Sequence, residues 1–437
     1  MRWRTATALG LALLMGTLTG AEAATTLTIA TVNNPDMIVM QKYAPRFEQE
    51  TGIKLKWLTL EENVLRQRVT TDISTNGGQF DVITIGLLET PLWGKQGWLT
   101  PFDNLPASYG LDDVLPVIRE GLSYDGKLYS LPFYAESAMT FYRTDLFKKA
   151  GLTMPEKPTW EQMAGFADKI NDPSHGVYGI CLRGQPGWGE NMAIIGVMAH
   201  SFGGTLFSKD WQAGYDDEGW KEAVKFYADL VKRDGPPGVV SNGYNENLAL
   251  FASGHCGLWV DATVSGGFLY DPKRSQVADK VSIAEMPTEK PGAGNGWLWS
   301  WALGIPKSSK QADAARKFVE WATSKDYIKM IGENEGWVTA PPGTRKSTYD
   351  NPEYIAAAPF AKTTLASIES VTGMGMSPDK PYIGVTFAAI PEMQAIGTFA
   401  GQQMAAAITG KMGIDAALDA TAANANRTLQ QAGGYQK

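Results

Sequence analysis

Hydrogen-bonding side chains follow the first three predicted strands of this chain. Asn33 comes directly after the first strand, Glu61 and Arg66 come after the second, and Glu89 comes after the third. Carboxylates accept hydrogen bonds, an arginine donates them in a planar fork, and an amide does both. Because ligands of open α/β sheets bind beyond the carboxyl ends of the strands, these residues are candidates for a binding site.

A row of tryptophans in the segment GWLWSWALGIP is the second candidate feature. Trp297, Trp299 and Trp301 occupy alternate positions, so in a strand their indole rings point to one face. Aromatic faces with a few fixed polar groups are typical of pockets for small polyhydroxy ligands. The row is therefore either buried core or one wall of a site. Arg183 and Trp188, which follow a later predicted strand, join the candidates by position.

Signatures of catalysis and of metal binding are not found in the sequence. The histidines are His175, His200 and His255, and none has the spacing of a zinc site. There is no nucleophile elbow and no phosphate-binding loop. Acidic residues are plentiful, but no spacing selects the pair of carboxylates that a glycoside hydrolase needs. We therefore expect no catalytic residue, no metal and no cofactor.

The N-terminus has the composition of a secretory signal peptide. Arg2 and Arg4 precede an apolar run that is too short to span a bilayer and that ends in the cleavage motif AEA. We predict a signal peptide over residues 1–23. An N-terminal membrane anchor is the alternative. No cysteine follows the run, which fits a free protein of a Gram-negative periplasm. The formal net charge of −7 argues against nucleic acid and anionic membrane as partners.

The chain has two cysteines, Cys181 and Cys256, both in apolar segments that are predicted strands. An exported protein meets an oxidising compartment, so an even pair is a candidate structural disulfide. Two buried free thiols are the alternative.

Strands and helices alternate along the first part of the chain. The first helix carries Met40 and Phe47 on one face and ends at Gly52. Such alternation predicts a mostly parallel sheet covered by helices on both faces. A later helix is predicted behind a capping box formed by Thr159 and Gln162. A length of 437 residues is too great for one small core and indicates two lobes.

Eight ordered segments carry a family resemblance. They are FEQETGIKLKW, FDVITIGLLETPLWGKQGWL, LYSLPFYAESAMTFYRTDLFKKAGL, PTWEQM, NENLALFASGHCGLWVDATVS, GWLWSWALGIPKSS, GWVTAPPGTRKSTY and PYIGVTFAAIPEMQAIGT. In these segments the chain resembles the extracytoplasmic solute-binding proteins of ABC sugar importers, in the maltose-binding superfamily. Details such as LLETPLWGKQGW and PPGTRKSTY resemble the sorbitol- and mannitol-binding (polyol) members.

The resemblance implies an α/β fold of two lobes, each a mostly parallel sheet flanked by helices, with a hinge and a ligand cleft between them. We expect residues 24–134 and about 303–348 in one lobe, and residues 135–302 and about 349–437 in the other. The resemblance further implies a monomer that is not an enzyme. Such a receptor closes around a small polyol or sugar and delivers it to an ABC permease in the inner membrane.

Residues at the family's binding positions extend the candidate site. The resemblance places Tyr134 and Glu136 at the first crossover between lobes, where the superfamily uses an aromatic side chain and a carboxylate. Asp261 ends an apolar strand at a position that often faces ligand, and a carboxylate there must be paired. Trp301 matches a ligand-facing tryptophan, with Ser300 standing where the family commonly has glycine.

For the tryptophan row, the resemblance makes Trp301 the first choice for stacking on ligand. Trp299 is the second, if a local bulge turns the strand. Trp297 is expected at the cleft rim or in the core.

The expected ligand is a linear alditol such as D-sorbitol or D-mannitol. A mono- or disaccharide receptor of the same class is the alternative, because the same aromatic side chains would serve both. An exported carbohydrate-active enzyme, with two carboxylates facing each other across the cleft, and a stand-alone receptor that docks to a sensor are further alternatives.

Overall fold

The computed structural model describes residues 25–289, 296–371, 380–382, 384 and 386–435. Numbered in chain order, the strands are β1 (Thr26–Val32), β2 (Lys54–Leu60), β3 (Val82–Ile85), β4 (Ser123–Tyr124), β5 (Lys127–Leu128), β6 (Ser130–Glu136), β7 (Ala138–Arg143), β8 (Tyr178–Cys181), β9 (Cys256–Ala262), β10 (Val281–Glu285) and β11 (Trp299–Gly304). The helices are α1 (Pro35–Thr51), α2 (Glu62–Ser74), α3 (Glu89–Lys95), α4 (Pro116–Gly121), α5 (Thr144–Ala150), α6 (Trp160–Ile170), α7 (Asn191–Ser201), α8 (Glu218–Asp234), α9 (Tyr244–Ala252), α10 (Gly266–Leu269), α11 (Ala312–Ala322), α12 (Lys325–Glu335), α13 (Lys346–Tyr349), α14 (Pro352–Ala357), α15 (Ala361–Ser370), α16 (Met393–Ile408) and α17 (Ile414–Gln431).

Two sheets form the centres of two lobes. The first has the strand order β2-β1-β3-β11-β6, and the second has the order β10-β7-β9-β8. In the first sheet β11 runs against all the other strands, and in the second sheet β7 does so. Each sheet is therefore mostly parallel with one reversed strand, and helices pack on both sheets. The parallel strands bring their carboxyl ends, and the residues that follow them, to one edge.

The reversed strand of each sheet enters from the other lobe. Strand β6 of the first sheet continues into β7 of the second with only Ser137 between them, and β11 returns to the first sheet after β10. Glu136 and Trp299, which pair across β6 and β11, therefore lie at the boundary between the lobes. The residue numbers at which the chain divides into lobes stay a prediction.

Local sequence signals correspond to the observed helix ends and strand links. Helix α1 ends at Gly52, whose φ of 72° favours glycine, and the capping box of Thr159 and Gln162 begins α6. A disulfide between Cys181 and Cys256 ties β8 to β9. In the described part of the chain, no helix is long and apolar enough to cross a membrane.

Candidate ligand-binding site

A cavity of about 870 Å³, part of it open to solvent, lies between the lobes at the carboxyl ends of β1 and β2. Its volume falls in the range of small-molecule sites. The polar and charged lining residues include Asn33, Asn34, Glu61, Glu62, Arg66, Tyr134, Glu136, Arg183, Gln185, Glu190, Tyr244, Asn245 and Glu246. The other aromatic lining residues are Trp188, Trp297, Trp299, Trp301 and Phe387.

Most of the residues selected from the sequence come together at this cavity. Those that line it are Asn33, Glu61, Arg66, Tyr134, Glu136, Arg183, Trp188, Trp299 and Trp301. Glu89 and Asp261 are not among the lining residues. Each of these two carboxylates is buried and binds the guanidinium of a lining arginine.

The first arginine, Arg66, lies one turn into α2 and is held by two carboxylates. Glu61 is the N-cap of α2, so the helix starts at the end of β2 and directs its first turn at the cavity. Nε and Nη2 of Arg66 donate to Glu62 Oε1 at 3.0 and 2.9 Å. Nη1 donates to Glu89 Oε1, and the other oxygen of Glu89 accepts from the backbone N–H of Gly86 at 3.0 Å. These charge-assisted bonds fix the plane of the guanidinium.

Three indole rings surround the Arg66 guanidinium, an arrangement that we name the Arg66 cage. The guanidinium carbon lies 4.3 Å from the ring centre of Trp188, 4.9 Å from that of Trp299 and 4.8 Å from that of Trp301. Cation–π attraction at such distances is strongest when the cation is desolvated, and the Arg66 side chain is only 5% exposed. Trp188 belongs to the second lobe, so the cage is assembled across the boundary.

The tryptophan row lies along the cavity, and the pairing of β11 with β6 shifts register just after Trp301. Trp301 of β11 pairs with Tyr134, whereas Ala302 pairs with Pro132, which leaves one residue of β6 unpaired. Trp299 and Trp301 meet edge to face, with ring centres 5.4 Å apart. Trp297, expected at the rim or in the core, also lines the cavity.

The second arginine, Arg183, follows β8 and is held within the second lobe. Nε donates to Asp261 Oδ2 at 2.9 Å and Nη2 donates to Asp261 Oδ1 at 2.5 Å. Nη1 donates to the carbonyl of Gly189 at 2.7 Å and lies 3.8 Å from Glu190 Oε2. The Asp261 side chain is fully buried and also accepts from Trp259 Nε1 at 3.1 Å. Because β8 and β9 are parallel neighbours, the residues at their ends meet.

Aromatic rings cover Arg183 as they cover Arg66. The guanidinium carbon lies 5.0 Å from the ring centre of Tyr244 and 5.7 Å from that of Trp297. The backbone N–H of Tyr244 donates to Glu190 Oε2 at 3.0 Å. This contact joins the start of α9 to the loop before α7 and closes the second-lobe side of the cavity.

Burial raises the pKa of two cavity carboxyls. Desolvation raises the pKa of Glu136 to about 8, in spite of the opposing charge of Arg183. Desolvation likewise raises the pKa of Glu190. A carboxyl that keeps its proton near neutral pH both donates and accepts hydrogen bonds, which matches the double character of a ligand hydroxyl.

The two lobes touch along the cavity mouth. Asn245 Nδ2 donates to the carbonyl of Asn33 at 2.9 Å, and a Cβ added at Gly189 would lie 1.7 Å from Glu62 Oε1. Glycine at position 189 therefore lets the lobes approach.

Several residues that line the cavity were not predicted from the sequence. Glu62 had a usable signal, because it stands four residues before Arg66 at the spacing of a helical ion pair. Glu190 precedes α7 and Tyr244 begins α9, and their segments GWGEN and NGYNEN do not indicate that they share a site. The tertiary fold alone brings these segments together.

Comparison with known proteins identifies the family. Residues 34–329 match the bacterial extracellular solute-binding proteins. The chain belongs to this family. Over 420 residues it is 54% identical to the mannitol-binding protein of Pseudomonas aeruginosa, a match that covers 95% of this chain and 96% of that protein.

Solved structures agree with the fold. The ABC transporter solute-binding protein of Agrobacterium vitis S4, crystallised with bound D-mannitol, is 54% identical with a TM-score of 0.92, covering 94% of this chain and all 100% of that chain. A solute-binding protein of Agrobacterium radiobacter K84 in complex with ribitol is 26% identical with a TM-score of 0.82. The match covers 92% of this chain and 98% of that chain. The predicted family and the predicted two-lobe α/β fold of this solute-binding protein are confirmed.

Proposed function

We propose that this protein is the periplasmic receptor of an ABC importer and that it binds a linear alditol, D-mannitol or D-sorbitol. The observation that carries the proposal is 54% identity, over 94% of this chain, to a protein crystallised with D-mannitol. The aromatic and hydrogen-bonding lining of the interlobe cavity supports it. The ribitol complex of a more distant relative supports an open-chain polyol rather than a closed sugar ring.

In this proposal, polar lining side chains bind the hydroxyls of the ligand and aromatic side chains contact its carbon chain. Each hydroxyl taken from water must be paired, since an unpaired one costs about 1–3 kcal/mol. Glu61, Glu62, Glu136, Glu190 and Gln185 supply partners for the hydroxyls, and Asn33 and Tyr134 add polar groups near the mouth and the crossover. The indoles of Trp297, Trp299, Trp301 and Trp188 cover the carbon chain.

Glu89 and Asp261 have a different task in this proposal. They do not contact ligand; they hold Arg66 and Arg183 in place, so they are positioning residues. Each arginine is thereby held in one orientation in the wall of the cavity.

The proposed cycle is hinge closure without chemistry. Ligand enters an open cleft, the lobes meet around it, and the closed form is presented to the permease. The protein acts as a monomer, catalyses no reaction and needs no cofactor. Residues 1–23 direct export and are removed.

Ligand titration tests the proposal. Thermal melting and isothermal titration calorimetry are carried out with D-mannitol, D-sorbitol, ribitol, D-glucose and maltose. We expect the hexitols to raise the Tm most, because a ligand that binds only the folded state stabilises it. A shift with maltose but with no alditol contradicts the alditol assignment, and cleavage of glycosides contradicts the receptor assignment.

A matched pair of variants locates the site. Trp301→Ala removes a cavity indole, whereas Trp321→Ala removes a tryptophan that packs on Phe47 in the same lobe. We expect only Trp301→Ala to weaken D-mannitol binding, by about tenfold or more. Equal affinities for the two variants would place the ligand elsewhere.

A further inference from the structure

A second cavity lies on the outer side of the Arg66 cage. It has about 1370 Å³ of unoccupied space, part of it open solvent, and lies between α2 and α16. Its lining includes the amide and hydroxyl side chains of Asn63, Gln67, Thr70, Thr71, Gln394, Thr398 and Gln402. We name this space the outer groove and the first cavity the inner cavity.

The inner cavity and the outer groove share two lining residues, Arg66 and Trp188. Both are buried, each with 6% of its surface exposed. The Arg66 guanidinium carbon lies 4.3 Å from the ring centre of Trp188. Groups in van der Waals contact leave no passage for a ligand, so this stacked pair forms a partition between the two spaces.

Contacts within each lobe hold the two side chains of the partition in place. Glu62 and Glu89 fix the guanidinium from the first lobe. The indole of Trp188 rests in a notch on α16, where a Cβ added at Gly397 would lie 2.2 Å from Trp188 Cδ1. One side chain comes from each lobe, so the partition is complete only when the lobes meet.

We propose that the Arg66–Trp188 partition sets the length of the ligand, and that the outer groove is a latent subsite for a glycosyl group. This inference rests on the proposed alditol function. A glycosyl substituent on the end of the alditol chain that lies against the partition would have to pass between Arg66 and Trp188 and would hold the lobes apart. The amides and hydroxyls of the outer groove have the chemistry that pairs with sugar hydroxyls, and Phe399 supplies an apolar face.

Calorimetric titration of three proteins tests the partition. Wild type, Trp188→Ala and Trp301→Ala are each titrated with D-mannitol and with 1-O-α-D-glucopyranosyl-D-mannitol. We expect wild type to prefer D-mannitol by about 100-fold and Trp188→Ala to reduce this preference by about tenfold or more. Trp301 lines the inner cavity and not the outer groove, so Trp301→Ala should weaken binding and leave the preference unchanged.

Two results overturn the partition. One is a preference in Trp188→Ala equal to that of wild type, and the other is an equal reduction in Trp301→Ala. Trp188→Leu is measured in parallel, because it shortens the partition while keeping an apolar side chain in the notch, and melting by circular dichroism verifies that each variant folds. A wild type that binds both ligands equally overturns the partition and leaves the alditol proposal intact. A wild type that binds neither overturns the alditol proposal, on which the partition rests.

Discussion

The two arginines of the inner cavity have similar surroundings but different construction. Each is nearly buried, has two carboxylates close by and is covered by aromatic rings. Arg183 and Asp261 end neighbouring strands of one sheet, so their pair is complete inside the second lobe. Arg66 needs Trp188 from the other lobe to complete its cage. Both arginines are paired within their own lobe, but only Arg66 also stacks on a side chain of the other lobe.

Because of this difference, we expect Arg183 to contribute mainly to the stability of the second lobe and the stacking of Arg66 on Trp188 to contribute to closure of the lobes around ligand. Removing one partner of a buried ion pair leaves an uncompensated charge and destabilises a protein by about 3–5 kcal/mol. A cation–π contact is worth about 0.5–2 kcal/mol. Changes to the ion pair of Arg183 with Asp261 should therefore act on the free energy of unfolding, and changes to the stacking of Trp188 on Arg66 should act on ligand affinity.

The largest effect is expected for Asp261→Ala. It removes both oxygens that bind Arg183 and leaves a guanidinium buried in the second lobe, so the free energy of unfolding should fall by about 3–5 kcal/mol. Denaturant unfolding without ligand measures it. Glu190→Gln is the control, because Glu190 lies 3.8 Å from Arg183 Nη1, and its effect should be smaller. Equal losses for both variants would contradict the central position of Asp261.

The disulfide should have the next largest effect. It joins residues 75 positions apart and ties together the two strands that carry Arg183 and Asp261. Replacing Cys181 and Cys256 together by alanine should lower the free energy of unfolding by about 2–4 kcal/mol. D-mannitol affinity should stay unchanged, because neither cysteine lines the inner cavity. Weaker binding at unchanged stability would contradict this prediction.

Exchange of each arginine for lysine compares the clusters directly. Lysine keeps the charge but loses the planar fork and the stacking face. Arg66→Lys should weaken D-mannitol binding by about tenfold, because the stacking face against Trp188 is lost. Arg183→Lys should lower the ligand-free Tm more than Arg66→Lys does, because its partner Asp261 is fully buried. Calorimetry and thermal melting of the two variants test this, and the reverse order would show that the Arg66 cage stabilises a lobe.

The smallest effect is a pH dependence. In the inner cavity desolvation raises the pKa of Glu136 to about 8 from a usual value of 4.5. An open cleft hydrates the carboxylate only in part and lowers its pKa by a fraction of this difference, so closure takes up protons at and below pH 8. D-mannitol affinity should therefore fall severalfold as pH rises from about 6 to 9.

Calorimetry across that pH range tests whether D-mannitol affinity falls as pH rises. At pH 7, titrations in buffers of different ionisation enthalpy should reveal proton uptake on binding. Glu136→Gln should reduce both effects, with Glu190 accounting for what remains. An affinity that rises with pH would contradict the prediction. The same raised pKa makes the contribution of this carboxyl to stability largest below pH 4.5 and lost as pH rises through 8.

Features that depend on near neighbours in the chain could be predicted. The capping box of α6 and the end of α1 at Gly52 need only residues within one helical turn. Asn33, Glu61 and Arg66 were found because polar residues after parallel strands gather at one sheet edge. The family could be predicted from the sequence because eight segments resemble its members in the same order along the chain.

Tertiary contacts decided the rest. The sequence placed Asp261 and Glu89 near the site, but only the fold showed that an arginine stands between each carboxylate and the cavity. The partnership of Arg66 with Trp188 joins residues of different lobes. Two indoles of the row, those of Trp299 and Trp301, form a cage with Trp188 because the second lobe brings Trp188 against Arg66. The physical reason is distance: periodicity and capping act over a few residues, whereas burial, ion pairing and stacking depend on which remote segments the folded chain brings together.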